Sequence, residues 1–355
     1  MSRIASILTA ALACISVANA ACGDGSPQAV VSGSGTFTAT VNGANVYSGS
    51  DYRLAIQTAL DRISSGQRVV VTASGSIGAS TITVTSGKTF EVCGTINVGN
   101  KAGRGAIEVI NQSDVKIPYL KMTGNPYFGL RCSGTRNLNL GDITMNLSGG
   151  LGIRFDRDAA MNYNVNMGTI TVTGAGSHAV ETWNIDGLTI KSVIARDVGE
   201  CGLLLQKTIN ARVGYVEGNN VAKGTGYATL RFANNNGQLG DGQYTKTNVF
   251  VDKVVSRGGG RGIFCVSMSG AAEIKYIDLA DNGNNAVLIE NCYNLAIRDG
   301  VINGGGEVRV AARSEFPNTS GIFFEVEVNN NSVRESPCAE NIFWAITGNA
   351  KKNVC

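Results

Sequence analysis

The sequence predicts an all-β chain wound as a single-stranded right-handed parallel β-helix, with a capping helix near its N-terminus. Three observations carry this expectation. First, one pattern recurs: a small residue, then apolar, variable, apolar and variable positions. Its copies begin at Ala106 (AIEVI), Gly129 (GLRCS), Gly152 (GIRFD), Ala179 (AVETW), Gly202 (GLLLQ), Thr229 (TLRFA), Gly262 (GIFCV) and Ala286 (AVLIE), at intervals of 23, 23, 27, 23, 27, 33 and 24 residues. Second, a further apolar alternation follows most copies, as in Val115/Ile117, Leu188/Ile190 and Ile274/Tyr276. Period-two alternation makes strands with one buried face, and two or three such strands per repeat stack into a solenoid. Third, 46 glycines and 34 asparagines, against only 5 prolines, supply turn residues without breaking strand ladders. Parallel strands joined by crossovers wind right-handed.

Composition excludes other classes. Charged residues are 16% of the 355, below the roughly 25% of an average soluble protein, so charge-driven disorder is excluded. The scarcity of proline and the lack of a G-X-Y period exclude collagen. Leucine-rich repeats share the period but need Leu and Asn at fixed positions, which do not recur here. A net charge of +3 is too mild for a dedicated nucleic-acid binder.

Taken in order, the chain begins with Arg3, an apolar stretch Ile4–Val17 and Ala18-Asn19-Ala20. This pattern reads as a signal peptide over 1–20, with the mature chain 21–355 secreted to the extracellular space. No later segment approaches 18 continuous apolar residues, so no membrane partner is expected. Loss of the leader removes Cys14 and leaves eight cysteines, an even number that permits disulfides in a secreted chain. Cys22 with Cys93 and Cys338 with Cys355 are the pairs that would staple the two ends, although spacing alone does not fix the connectivity. Sequons stand at Asn111, Asn146, Asn318 and Asn330, which would make a eukaryotic product a glycoprotein. An amphipathic helix is expected over about 51–64, with Ser50 or Asp51 as N-cap and Leu54, Ile56, Ala59, Leu60 and Ile63 as its apolar side. Coils are expected over about 69–312 and a C-terminal cap over about 313–355. A monomer is expected.

The DYRLAIQTALD helix, the VVV strand and the TITVTSGKTFEVCGTINVG segment resemble the N-terminal part of secreted pectate-lyase-like and polygalacturonase-like parallel β-helix enzymes. The match is detailed over 50–100 and extends over 100–310 only as a period. The resemblance implies work on an acidic polysaccharide. The polygalacturonase motifs (Asn-Thr-Asp, an Asp-Asp pair, Gly-His-Gly, Arg-Ile-Lys) are absent, and Gly176-Ser177-His178-Ala179 matches the histidine motif only loosely. The aspartate cluster that holds calcium in pectate lyases is not recognisable, so no cofactor is required and calcium stays open.

Side chains between the inward positions of each strand point outward, and equivalents from successive coils form ladders about 4.8 Å apart. The first ladder reads Glu108, Arg131, Arg154, Glu181, Leu204, Arg231, Phe264, Leu288. The second reads Ile110, Ser133, Asp156, Trp183, Gln206, Ala233, Val266, Glu290. Arg154, His178, Glu181 and Arg231 are the candidate catalytic set. Arg131, Asp156, Trp183, Gln206, Lys207 and Tyr227 are the candidate substrate contacts. From Arg131 to Arg231 is four rungs, roughly 19 Å, a length that suits several sugar units. Beyond it the ladder turns apolar.

A lyase must neutralise a uronate carboxylate and remove the proton beside it. Arginine suits the first task, and His, Lys or Tyr the second. A hydrolase needs two carboxylates, for which Asp156 and Glu181 on adjacent rungs are the pair. The expected function is therefore a polysaccharide lyase acting by β-elimination, with a glycoside hydrolase and a non-catalytic carbohydrate-binding protein as alternatives. Each residue also has a plain structural reading. Arg131, Arg154 and Glu181 would serve as a stabilising charge ladder, Trp183 would lie under a loop, and Cys132 and Cys265 would be core.

Overall fold

The computed structural model describes residues 21–223 and 226–355; the expected signal peptide lies outside the described residues. The chain is a parallel β-helix. Strand Gly105–Ile110 pairs in parallel with Phe128–Ser133, which pairs with Leu151–Phe155, and the series continues through Val180–Arg196, Leu203–Asn219, Ala228–Ala233, Arg261–Cys265, Val287–Glu290 and Val308–Ala311. The second alternation forms its own ladder, as in Lys116–Gly124 with Asn139–Leu147 and Asn162–Thr173. Inward residues such as Ile107, Leu130, Ile153, Val180, Leu203, Leu230, Ile263 and Val287 are buried in one continuous core.

The small residue that opens each copy has a steric reason at two glycines. A Cβ on Gly152 would stand 2.4 Å from the Ala179 carbonyl oxygen, and one on Gly202 would stand 2.7 Å from that of Thr229. The next coil's backbone passes too close for a side chain. Asparagines turn the corners: Asn184, Asn210, Asn234 and Asn291 all hold left-handed φ of 51–54°, a region Asn tolerates better than most residues.

The helix spans Tyr52–Arg62, with Asp51 as N-cap accepting from the Leu54 N–H at 2.8 Å. Its buried side is Tyr52, Ala55, Ile56, Ala59 and Leu60; Leu54, expected inside, is exposed. Sequence reading missed a feature just before it. Strands Ala29–Ser34, Thr36–Val41 and Ala44–Gly49 form an antiparallel meander, whose first strand pairs in parallel with Arg68–Val71. Asn42-Gly43, with φ of 50° and 81°, is the hairpin signal that marked it.

The expected boundary at 313 is also corrected. Ser320–Asn329, Ser332–Glu335, Glu340–Thr347 and Lys351–Asn353 continue the parallel ladders, so coils run on where a separate cap was expected. The period-two run Ile322-Phe323-Phe324-Glu325-Val326-Glu327-Val328 supplies the inward face there, and Gly321 before it repeats the small-residue pattern.

Disulfides join Cys22–Cys93 and Cys338–Cys355, and a third joins Cys265–Cys292 one coil apart. Cys265 is therefore core as expected, but bonded; Cys132 and Cys201 are free and buried. Among the described residues no helix is long and apolar enough to cross a membrane.

Candidate functional site

The register sets Glu108, Arg131, Arg154, Glu181, Leu204, Arg231, Phe264, Leu288, Arg309 and Arg334 side by side on one outward ladder. Its first half is a charge network, in which Arg154 Nε is buried without a hydrogen-bond partner among the described residues. Arg104 donates to Glu108 at 2.8 and 2.6 Å. Arg131 holds Asp156 at 3.1 and 3.0 Å and reaches Glu108 at 3.4 Å. Arg154 donates to Glu181 and lies 3.8 Å from Asp156. Three arginines thus meet three carboxylates. Burial would raise the Glu108 carboxyl, but the Arg104 hydrogen bonds and the Gly105 N–H hold it below its usual range.

Glu181 is 6% exposed. Besides Arg154 it accepts from Trp183 Nε1 at 2.9 Å and Gln206 Nε2 at 3.0 Å. Gln206 in turn accepts from Asn234 Nδ2. Trp183 and Gln206 are both buried, and the Arg157 guanidinium lies 5.3 Å over the indole. Trp183 therefore holds a carboxylate and offers no open ring for a sugar, which corrects its expected role as a platform. Asp156 and Glu181, the expected hydrolytic pair, are both engaged by arginine. Lys207 turns a left-handed corner, is exposed, and lines neither cleft described here.

Beside this network lies a cleft of about 540 Å³ lined by Tyr127, Phe128, Arg154, Ser177, His178, Glu181 and Glu200. His178 is 7% exposed. Its Nδ1 accepts the Cys201 N–H at 3.0 Å, so the proton sits on Nε2, 3.0 Å from Glu200 Oε2. Burial pushes the imidazole pKa down, against the pull of Glu181 and Glu200. His178 is thus a neutral donor whose other nitrogen is already occupied, not the free base the sequence suggested.

Glu200 also accepts from the hydroxyls of Ser177 and Tyr227. The bond to Glu200, then burial, raises the Tyr227 phenol and keeps it protonated. Tyr227 meets the His178 ring edge-on at 5.7 Å and lies 5.9 Å beneath the Arg231 guanidinium. Among the described residues, Glu200 forms no ion pair with an arginine. Sequence reasoning took His178 and Tyr227 from the turns but passed over Ser177 and Glu200 beside them. Ser177, Glu200 and Tyr227 each stand two residues before a repeat copy, at Ala179, Gly202 and Thr229. Extending the ladder back into the turns lines them up.

A second cleft, of about 510 Å³, opens farther along the same face. It is lined by Arg231, Arg261, Phe264, Glu290, Arg309 and Arg313, with other residues. The ladder is apolar at Phe264 and Leu288, as expected, but the surface is not, because arginines from neighbouring positions crowd over it. Arg231 and Arg261 flank the Phe264 ring at 5.1 and 4.7 Å. Arg313 pairs with Glu290, and Glu307 pairs with Arg334. Arg231, Arg261 and Arg309 have no ion-pair partner among the described residues. Arg231 Nε, Arg261 Nη1 and Arg309 Nε are buried without a hydrogen-bond partner there. Burial, and then Arg231, lowers the Arg261 pKa.

Buried guanidinium nitrogens without acceptors are costly, and an anion with oxygens in that cleft would satisfy them. One group of three potential metal-ligand side chains was found among the described residues, Cys22, Glu91 and Cys93, and its two sulfurs are bonded to each other.

No protein-family model and no curated protein matches this sequence. Among solved structures the chain is similar to the A-module of a mannuronan C-5 epimerase from Azotobacter vinelandii, with 12% identity, a TM-score of 0.49, and coverage of 86% of this chain and 92% of that one.

Proposed function

We propose that the protein cleaves an acidic, uronate-containing polysaccharide by β-elimination outside the cell. The observation that carries this reading is a set of three arginines without an ion-pair partner among the described residues, Arg231, Arg261 and Arg309, next to a hydrogen-bonded cluster of Glu200, His178 and Tyr227. Arginines with an unfilled N–H donor and no ion-pair partner among the described residues suit a row of carboxylates. The Glu200 cluster suits proton transfer, because it joins a carboxylate free of arginine to a phenol held protonated.

The residues divide the work as follows. Arg231 pairs with the uronate carboxylate and disperses the charge that builds when the adjacent carbon loses its proton. Glu200 takes that proton, oriented by His178 Nε2–H and Ser177. The electron pair left behind forms the carbon–carbon double bond and expels the glycosidic oxygen at the neighbouring carbon. Tyr227 protonates the departing oxygen. Glu200 then returns a proton to Tyr227 through their hydrogen bond, so the cycle consumes none. Arg261 and Arg309 hold further carboxylates of the same chain. The Arg131–Asp156–Arg154–Glu181 network forms a rigid wall beside them.

Glu200→Gln, which keeps the shape and loses the base, tests this. On a polyuronate substrate kcat is expected to fall by about 10²-fold or more while KM changes little. Full activity in Glu200→Gln would refute the assignment. Exchange of the proton beside the carboxylate with solvent, without chain cleavage, would replace elimination with inversion at that carbon.

A further inference from the structure

The longest interval between repeats, 33 residues, holds an extra loop around Asn236–Asn248 that the proposed chemistry does not use. This loop builds a second kind of site. Its residues Gln238 and 242–245, with Tyr293, Asn294, parts of the 317–321 segment, Glu340 and Asn341, enclose a groove of about 490 Å³, within the range of about 300–1,000 Å³ typical of small-ligand sites. The register sets Tyr293, Ser320 and Glu340 on successive rungs of its floor.

Both walls are fixed. The loop is anchored by Tyr244 O–H to the Met268 carbonyl and by Asn294 Nδ2 to the Tyr244 carbonyl at 2.7 Å. The opposite wall is held by Tyr293 O–H and Asn291 Nδ2, which donate to the Pro317 carbonyl at 3.0 and 2.9 Å. The Tyr244 and Tyr293 rings meet at 5.1 Å.

The lining chemistry contrasts with that of the arginine cleft. It contains no lysine or arginine, and Glu340 is its one charged residue. It offers the side-chain amides of Gln243 and Asn341 and the hydroxyls of Thr245 and Ser320 around a partly exposed tyrosine. Planar amides and hydroxyls match the paired hydroxyls of a sugar, and an aromatic ring matches its apolar face. Nothing in the groove selects an anion.

We propose that this groove is a binding site for an uncharged saccharide, separate from the acidic-polymer cleft. The 311–319 segment divides the two, with Arg313 lining one side and Pro317 and Asn318 the other. The proposal does not rest on the elimination chemistry.

The test is calorimetric titration of the full chain with neutral hexasaccharides built from glucose (β-1,4 and β-1,3), mannose and xylose. At least one is expected to bind. Tyr293→Ala is expected to weaken that binding about tenfold or more, while Tyr293→Phe retains it, because the ring supplies the contact. The exposed pair Gln243→Ala/Asn341→Ala provides an independent loss should Tyr293→Ala unfold. Arg261→Gln is expected to leave neutral-sugar binding unchanged. The proposal is overturned by no binding across the panel, by binding that survives both the Tyr293→Ala and the paired amide substitutions, or by equal loss in Arg261→Gln. Activity on acidic polymers, measured on the same variants, reports separately on the arginine cleft.

Discussion

Arg261→Gln separates a binding arginine from a structural one. A structural arginine stabilises the fold, and its loss costs stability. Arg261 is set the other way: burial and the neighbouring Arg231 disfavour its cation, and its Nη1 has no partner among the described residues. Replacing it with neutral Gln removes a like-charge contact and loses one hydrogen bond, from Nε to Asn285 Oδ1 at 3.1 Å, and the cation contact with the Phe264 ring. Stability without ligand is therefore expected to hold, or to rise by up to about 1 kcal/mol, as is common where function has been favoured over stability. Binding is expected to suffer. A hydrogen bond to a charged partner is worth about 1.5–3 kcal/mol, which corresponds to about 10- to 150-fold in Kd.

The assay pairs a thermal melt of the free protein with titration of polygalacturonate and alginate at low and moderate salt. The variant should also show a flatter salt dependence, since one screened charge is gone. A melting point lowered by several degrees with unchanged polymer affinity would refute the reasoning and make Arg261 a structural residue.

Three further outcomes are expected. His178 has a folded-state pKa below its usual value of 6.5, so its contribution to stability is complete above that value and is lost as pH falls through it toward the lowered one; denaturant midpoints across this window should decline in the parent and less in His178→Gln. Arg154→Met leaves the Glu181 carboxylate, 6% exposed, without its cation and should cost about 3–5 kcal/mol, whereas Arg154→Met/Glu181→Gln should recover most of it; equal losses in the two variants would show that the pair is not coupled. Replacing Cys265 and Cys292 by Ala opens a loop of 27 residues and should cost about 3.5 kcal/mol by denaturant unfolding on the chain-entropy account.

The fold was legible because a solenoid writes itself repeatedly. Each coil repeats the same demand, a small residue where the next backbone passes and two inward apolar positions, so even the order of the outward ladder follows from spacing. What escaped was whatever did not repeat. The meander at 29–49 occurs once, the Cys265–Cys292 bond depends on a corner in the next coil, and the copy at Gly321 stands 35 residues after the one at Ala286, outside the usual interval. The site was harder to read for a related reason. Spacing tells which residues are neighbours but not which have already satisfied each other. Arg131, Arg154, Asp156 and Glu181 stood out by charge, yet they neutralise one another. Glu200 was hidden in a turn, and Arg261 and Arg309 lay beyond the point where the ladder looked apolar. Trp183 faces outward in sequence terms, but Arg157 covers it.

The most direct test of the account is mass spectrometry of the products formed from uronate polymers in oxygen-labelled water. Elimination adds no water, so the account predicts chains with an unsaturated end and no label, formed at least about 10²-fold more slowly by Glu200→Gln. Labelled reducing ends, each marking a water inserted at the cut, would contradict it, as would intact polymer across polygalacturonate, alginate and mixed uronate glycans.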